Sequence, residues 1–233
     1  MEFVVGAGVF AAAAVAWFFY QYSEVQRDLG LEKAARRLGL NFRFGLPRDL
    51  KDVLPRFRVI ENATEKGEDF QAGINSIGGE RNGRKIVFFD FQWRTVLTTS
   101  TRGWLSETRS RTHRRSGVAA QLGVAVQPVL IRPERLVDKA VALVGYDDID
   151  FPSLPEFSSR FYVNSPQREF ARRLVTPNLA RFFLDNVSCV VDFVGPWLLL
   201  HVNSPARASQ VQDLLGLAGM LADLVTREQT EPR

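Results

Sequence analysis

Residues 3–20 read FVVGAGVFAAAAVAWFFY, eighteen positions without one charged side chain. At about 1.5 Å per residue, a helix over this run is roughly 27 Å long, close to the hydrocarbon thickness of a bilayer. A helix that is apolar on every face belongs in lipid or deep inside a large core. The segment therefore reads as a single transmembrane anchor. A cleavable signal peptide is the first rival, but it needs a basic flank, and only Met1 and Glu2 precede the run. A dinucleotide fingerprint is the second, since Gly6, Gly8 and Ala11 match G-x-G-x-x-A. That motif needs a strand before it and alternating strands and helices after it, and no such alternation follows.

Trp17, Phe18, Phe19, Tyr20 and Tyr22 gather at the C-terminal edge of the run, with Trp17, Tyr20 and Tyr22 as the expected interface anchors. Gly8, Ala12 and Ala16 share a helix face at small-xxx-small spacing, although alanine is abundant enough here for that to arise by chance. Arg27, Lys33, Arg36 and Arg37 follow the span and no basic residue precedes it, which directs the C-terminal portion to the cytoplasm. The one cysteine, Cys189, agrees with a reducing compartment. Arginine outnumbers lysine 25 to five, and together with abundant alanine, valine, leucine and glycine this skew reflects a GC-rich bacterial genome. The expected organisation is an anchor over 1–22, a juxtamembrane helix over 23–40 carrying Val25, Leu29, Ala35 and Leu38, and a cytoplasmic domain over 41–233.

That domain reads as α+β: a mostly antiparallel sheet with short helices and a C-terminal amphipathic helix packed on it. Asn82-Gly83 suits a two-residue type I′ turn and predicts a hairpin between strands at about 71–81 and 84–98. The stretch Lys85-Ile86-Val87-Phe88-Phe89-Asp90-Phe91-Gln92-Trp93 alternates only partly, as a strand buried on both faces does. A basic loop over 101–116 follows, then a strand over 118–131, the two long strands pairing around the loop. A short helix starts at Leu46-Pro47-Arg48, strands fall at 57–60 and 157–163, and 135–145 is a helix or a strand. Ser165-Pro166 and Thr176-Pro177 each open a helix, over 166–174 and 177–186. Residues 189–193 and 197–202 form a hairpin about Gly195-Pro196, and Ser204-Pro205 caps the last helix. Val211, Leu214, Leu215, Ala218, Leu221, Ala222 and Val225 make the apolar face of that helix. Leu54-Pro55-Arg56-Phe57 recurs as Leu154-Pro155-Glu156-Phe157, which is thin support for an internal duplication.

The most conspicuous contact candidate is the basic loop. Arg102, Arg109, Arg111, Arg114 and Arg115, offset by Glu107, sum to +4, the net charge of the whole chain. With Trp104 among them, they suit anionic lipid headgroups, or a phosphate backbone with a base stacked on the indole. The plain alternative is a solvated loop. Asp147, Asp148 and Asp150 form an acidic cluster that could hold a hard cation, but the calcium-loop glycine and closing glutamate are missing, so a turn-shaping role is the simpler expectation. His113, His201 and Cys189 are isolated. No G-x-S-x-G, H-E-x-x-H, P-loop or C-x-x-C occurs, and no cofactor is expected.

The segments FFDFQW, THRR, LIRPE-x-x-x-DKA, DDIDFPSLPEFSSRFYVN and VVDFVGPWLLLHVN resemble a family of uncharacterised bacterial proteins with an N-terminal membrane anchor and one α+β domain. The resemblance spans nearly the whole chain. It implies the same architecture and carries no activity or site residues with it. The function expected from the sequence is a non-enzymatic binding or scaffold role at the inner-membrane surface. The alternatives are an enzyme with a site near the three aspartates, and nucleic-acid binding close to the membrane.

Overall fold

The computed structural model describes residues 2–66, 68–100, 106–134 and 148–230. Helix α1 (Glu2–Arg37) runs without interruption through the apolar stretch and the charged stretch after it. Among the described residues no helix is long and apolar enough to cross a membrane. Val25 and Leu29 of α1 are exposed, whereas Leu31 and Ala35 are fully buried, so the helix docks by its 31/35 face.

Among the described residues six strands form one sheet: β1 (Asn41–Arg43), β2 (Glu68–Arg81), β3 (Arg84–Ser100), β4 (Ser106–Pro133), β5 (Phe161–Asn164) and β6 (Val190–Val202). Every pairing is antiparallel, in the order β1-β2-β3-β4-β5, with β6 also on β4. Asn82 and Gly83 take φ of 52° and 72° between the paired Arg81 and Arg84, as the type I′ turn requires. Val87, Phe88, Phe89 and Phe91 of β3 are all fully buried because both faces of the sheet are covered. One face carries α1, α5 (Arg168–Leu174), α6 (Pro177–Asp185) and α7 (Val211–Thr230). The other carries α2 (Arg48–Val53) and α3 (Arg58–Lys66), whose Leu50, Val53 and Ile60 pack with Phe57 on Phe89, Phe91, Trp197 and Leu199.

The seven apolar positions read for the last helix are the seven that α7 buries. Thr176 accepts the N–H of Leu179 at 3.2 Å and caps α6. Several expectations need correction. Residues 58–60 are helix, not strand, since Phe57 and Ile60 share a helical face over the second core and the Val59 N–H is taken by Asp192. Residues 155–158 form one turn of helix, α4 (Pro155–Ser158), and the strand begins only at Phe161. Gly195-Pro196 makes no hairpin. Both halves of β6 pair with β4, and Gly195, at φ 58°, absorbs a register shift. The last helix begins at Val211, after a 3-10 turn (Ala208–Gln210), because Ala206 is held elsewhere. The segment 135–145 lies outside the described residues.

Asp192, fully buried on β6, accepts the Val59 N–H at 3.4 Å and so caps α3 from a neighbouring strand. Its Oδ1 has no hydrogen-bond partner. Burial pushes the carboxyl from the ordinary 3.8 up to about 7, against the pull of the Val59 and Arg58 amides. The folded protein then holds this proton more tightly than the unfolded chain does. The favourable contribution is complete below about pH 4 and is lost as pH rises through about 7. In urea unfolding at pH 5 and pH 8, Asp192→Asn should therefore gain stability relative to wild type at the higher pH. An equal difference at both pH values would contradict this assignment.

Candidate functional site

Strand alternation divides the arginines that the sequence grouped together. The segment expected as a loop over 101–116 is strand from Ser106 onward, in register with β3 from Ser100↔Ser106 to Ile86↔Ala120. Successive side chains on a strand point to opposite faces. Arg114 and Ser116 therefore face α1, while Arg109, Arg111, His113 and Arg115 face the other way. Arg102 and Trp104 lie outside the described residues.

On the α1 face, Asp90 of β3 is fully buried and its carboxylate organises three elements. Arg27 of α1 grips it in a two-pronged pair, Nη1 to Oδ2 at 2.6 Å and Nη2 to Oδ1 at 2.9 Å. The Ser116 hydroxyl donates to Oδ1 at 2.5 Å and accepts the N–H of Ala206 at 2.8 Å. Arg27 also donates to the Ala206 carbonyl, at 3.0 and 3.2 Å, which holds the chain extended just before α7. Asn75 of β2 donates to Asp28 at 2.7 Å and reaches Asp90 at 3.5 Å. Arg114 donates to Glu24 of α1 and lies 3.6 Å from Asp90. Glu24, Arg27 and Asp28 fall at helical spacing on one face, so a single orientation of α1 satisfies all three. Gly30 allows the close approach, since a Cβ there would stand 3.0 Å from the Cβ of Ala208.

The opposite face is an aromatic and cationic surface. Trp93 stacks on Phe91 at 6.1 Å and on His113 at 5.0 Å, with the Arg115 guanidinium 4.9 Å from the indole centroid. His113 Nε2 sits 3.0 Å from Thr95 Oγ1. Its pKa is lowered, by burial first and then by Arg111 and Arg115, which registers the positive field there. Arg109 and Arg111 are exposed further out on the same strand. This surface suits anions.

The remaining candidates separate. Asp148 accepts the N–H groups of Ile149 and Val163 at 2.9 and 3.0 Å, and burial raises its pKa. Asp150 is exposed, and Asp147 lies outside the described residues. Among the described residues no three His, Cys, Asp or Glu side chains are grouped to hold a metal. Neither the 540 Å³ recess between α4 and α6 nor the 190 Å³ recess beside the Asn82-Gly83 turn includes these aspartates. His201 is buried edge-on to Phe91, and burial raises the Cys189 thiol pKa, which disfavours a reactive thiolate. Trp17 and Tyr22 are exposed on α1. The side chain of Tyr20 is outside the described set. Sequence reasoning missed Asp90, Arg27, Asn75 and Ser116. The available signal was an aspartate inside FFDFQW, since a charge in a doubly covered strand demands a partner.

No family model matches the chain, and no curated protein does. The fold is similar to the crystal structure of the mycobacterial trehalose monomycolate transport factor A, TtfA. The TM-score is 0.54 at 15% identity, over 89% of this chain and 97% of that one. The likeness is one of fold.

Removing the Asp90 carboxylate leaves the Arg27 guanidinium in a largely buried place without its counter-ion. Asp90→Ala should lower the unfolding free energy of the full chain by about 3–5 kcal/mol. Arg111→Ala, on the exposed face, should change it by less than about 0.5 kcal/mol. Chemical denaturation followed by tryptophan fluorescence checks both, and equal effects would contradict the division of the arginines.

Proposed function

We propose that this protein is a non-enzymatic, single-pass factor of a bacterial inner membrane, with its α+β domain held at the cytoplasmic surface as a scaffold for a transport process. The observation that carries this reading is the three-residue clamp by which Glu24, Arg27 and Asp28 fix the sheet to α1. A flexible tether would only localise a domain. A helix gripped by a buried ion pair sets the domain's height and rotation relative to whatever holds the helix. The apolar run over 3–20, the exposed Trp17 and Tyr22, and the cations after them support lipid as that holder. The fold likeness to a trehalose monomycolate transport factor supports a part in the transport of lipid-linked cargo, with the scaffold contributing contact and placement.

In bacterial cells, the intact chain should stay with the membrane pellet after an alkaline carbonate wash. A C-terminal green fluorescent protein fusion should fluoresce, and a C-terminal alkaline phosphatase fusion should stay inactive. Release by carbonate, or the reverse pattern of fusions, would overturn the anchored cytoplasmic reading.

A further inference from the structure

The two fully buried carboxylates of the sheet are held in opposite ways. Asp90 has a guanidinium on both oxygens and a hydroxyl besides. Asp192 takes the Val59 N–H on Oδ2 at 3.4 Å, and its Oδ1 has no hydrogen-bond partner. A buried oxygen without a donor favours the neutral acid, since ionising it would place a charge where water cannot follow. On one side Asp192 is closed in by the sheet itself, as β6 pairs with β4 from Ser116↔Val202 to Ile131↔Val191. On the other it is closed in by α3, and α3 is held more lightly. Ile60 packs with Phe57 on Phe89, Phe91, Trp197 and Leu199, and Val59 bonds to Asp192. The Thr64 hydroxyl is spent inside the helix, on the carbonyls of Ile60 and Glu61. A helix of nine residues does not stand without such packing. Lifting α3 is therefore the least costly way for water to reach this carboxyl.

We infer that α3 is a proton-operated latch: it stays closed on the sheet while Asp192 is neutral, and loss of that proton favours its lifting. The closed and lifted states hold one proton with different strength. Closed, burial keeps the carboxyl at about 7; lifted, water solvates it and it returns to the ordinary 3.8. Between these values opening releases a proton, so the lifted fraction rises with pH across that window and levels off above about 7. The charged groups facing Asp192 are both on α3: Arg58, which favours the anion, and Glu61, which opposes it. Both leave with the helix, and water replaces them. From the sheet, Leu130 lies between Asp192 and Asn164, and the next row on that face carries Arg132 with its guanidinium over the Tyr162 ring. Lifting uncovers Phe89 and Phe91 beside the cationic surface of Trp93, His113 and Arg115. The latch thus couples pH to the exposure of an apolar patch, wherever the chain is held.

Amide hydrogen exchange of the full chain, read by mass spectrometry and corrected for the intrinsic effect of pH on exchange, tests the latch. From pH 5 to pH 7 the opening of α3 should increase roughly fiftyfold. At each pH α3 should be less protected than α7, because it opens without the rest of the fold. Asp192→Asn should abolish the rise with pH. Ile60→Val loosens the packing and leaves the carboxyl in place, so it should raise opening about fivefold at both pH values and keep the same pH dependence. That second variant keeps the question answerable should the asparagine variant fail to fold. A corrected opening that ignores pH in the wild type and in Ile60→Val would overturn the latch. So would a rise that survives in Asp192→Asn, or equal protection of α3 and α7 at every pH.

Discussion

A carboxylate between two phenylalanines, in a strand covered on both faces, has no water to turn to. Asp90 is tolerable there because Arg27 meets both of its oxygens and Ser116 supplies a further donor. The same contacts recruit a helix from one end of the chain and the segment entering α7 from the other. The pair is therefore a device of placement. One rotation and one height of α1 bring Glu24, Arg27 and Asp28 to Arg114, Asp90 and Asn75 together.

This placement separates two roles within a single run of arginines. Arg114 belongs to the interior, tied to Glu24 and Asp90, while Arg111, three residues earlier on the same strand, is exposed on the opposite face. Composition sees one basic cluster. The two-residue period of a strand makes of it a clamp and an exposed cationic face, back to back.

Local signals were legible where they act locally. The Asn82-Gly83 turn, the Thr176 cap and the seven-residue face of α7 each depend on neighbours within a turn or two, and the sequence displays those neighbours. What was hidden depends on partners far along the chain. Val59 and Ile60 carry strand-forming side chains, yet a carboxylate on β6 and the core above Phe89 make them helical. Gly195-Pro196 looks like a turn until β4 offers both halves of β6 the same edge. Ser204-Pro205 looks like a helix start until Ser116 and Arg27 occupy the next backbone groups. Of the site, the arginines could be found by counting. The acid that sorts them could be found only by asking what a buried charge must touch.

The thirty-six residues of α1 contain no proline, and its helix passes unbroken from the apolar run into the clamp. A rod of about 54 Å gripped at one end works as a lever. The portion before the clamp, residues 2–23, is about 33 Å long, and a tilt of about 10° imposed along it swings its far end roughly 6 Å against the sheet, and, seen from that far end, swings the sheet instead. With no hinge to absorb the motion, the body must turn with its stem, so mechanical strain on the first twenty residues becomes reorientation of everything after them.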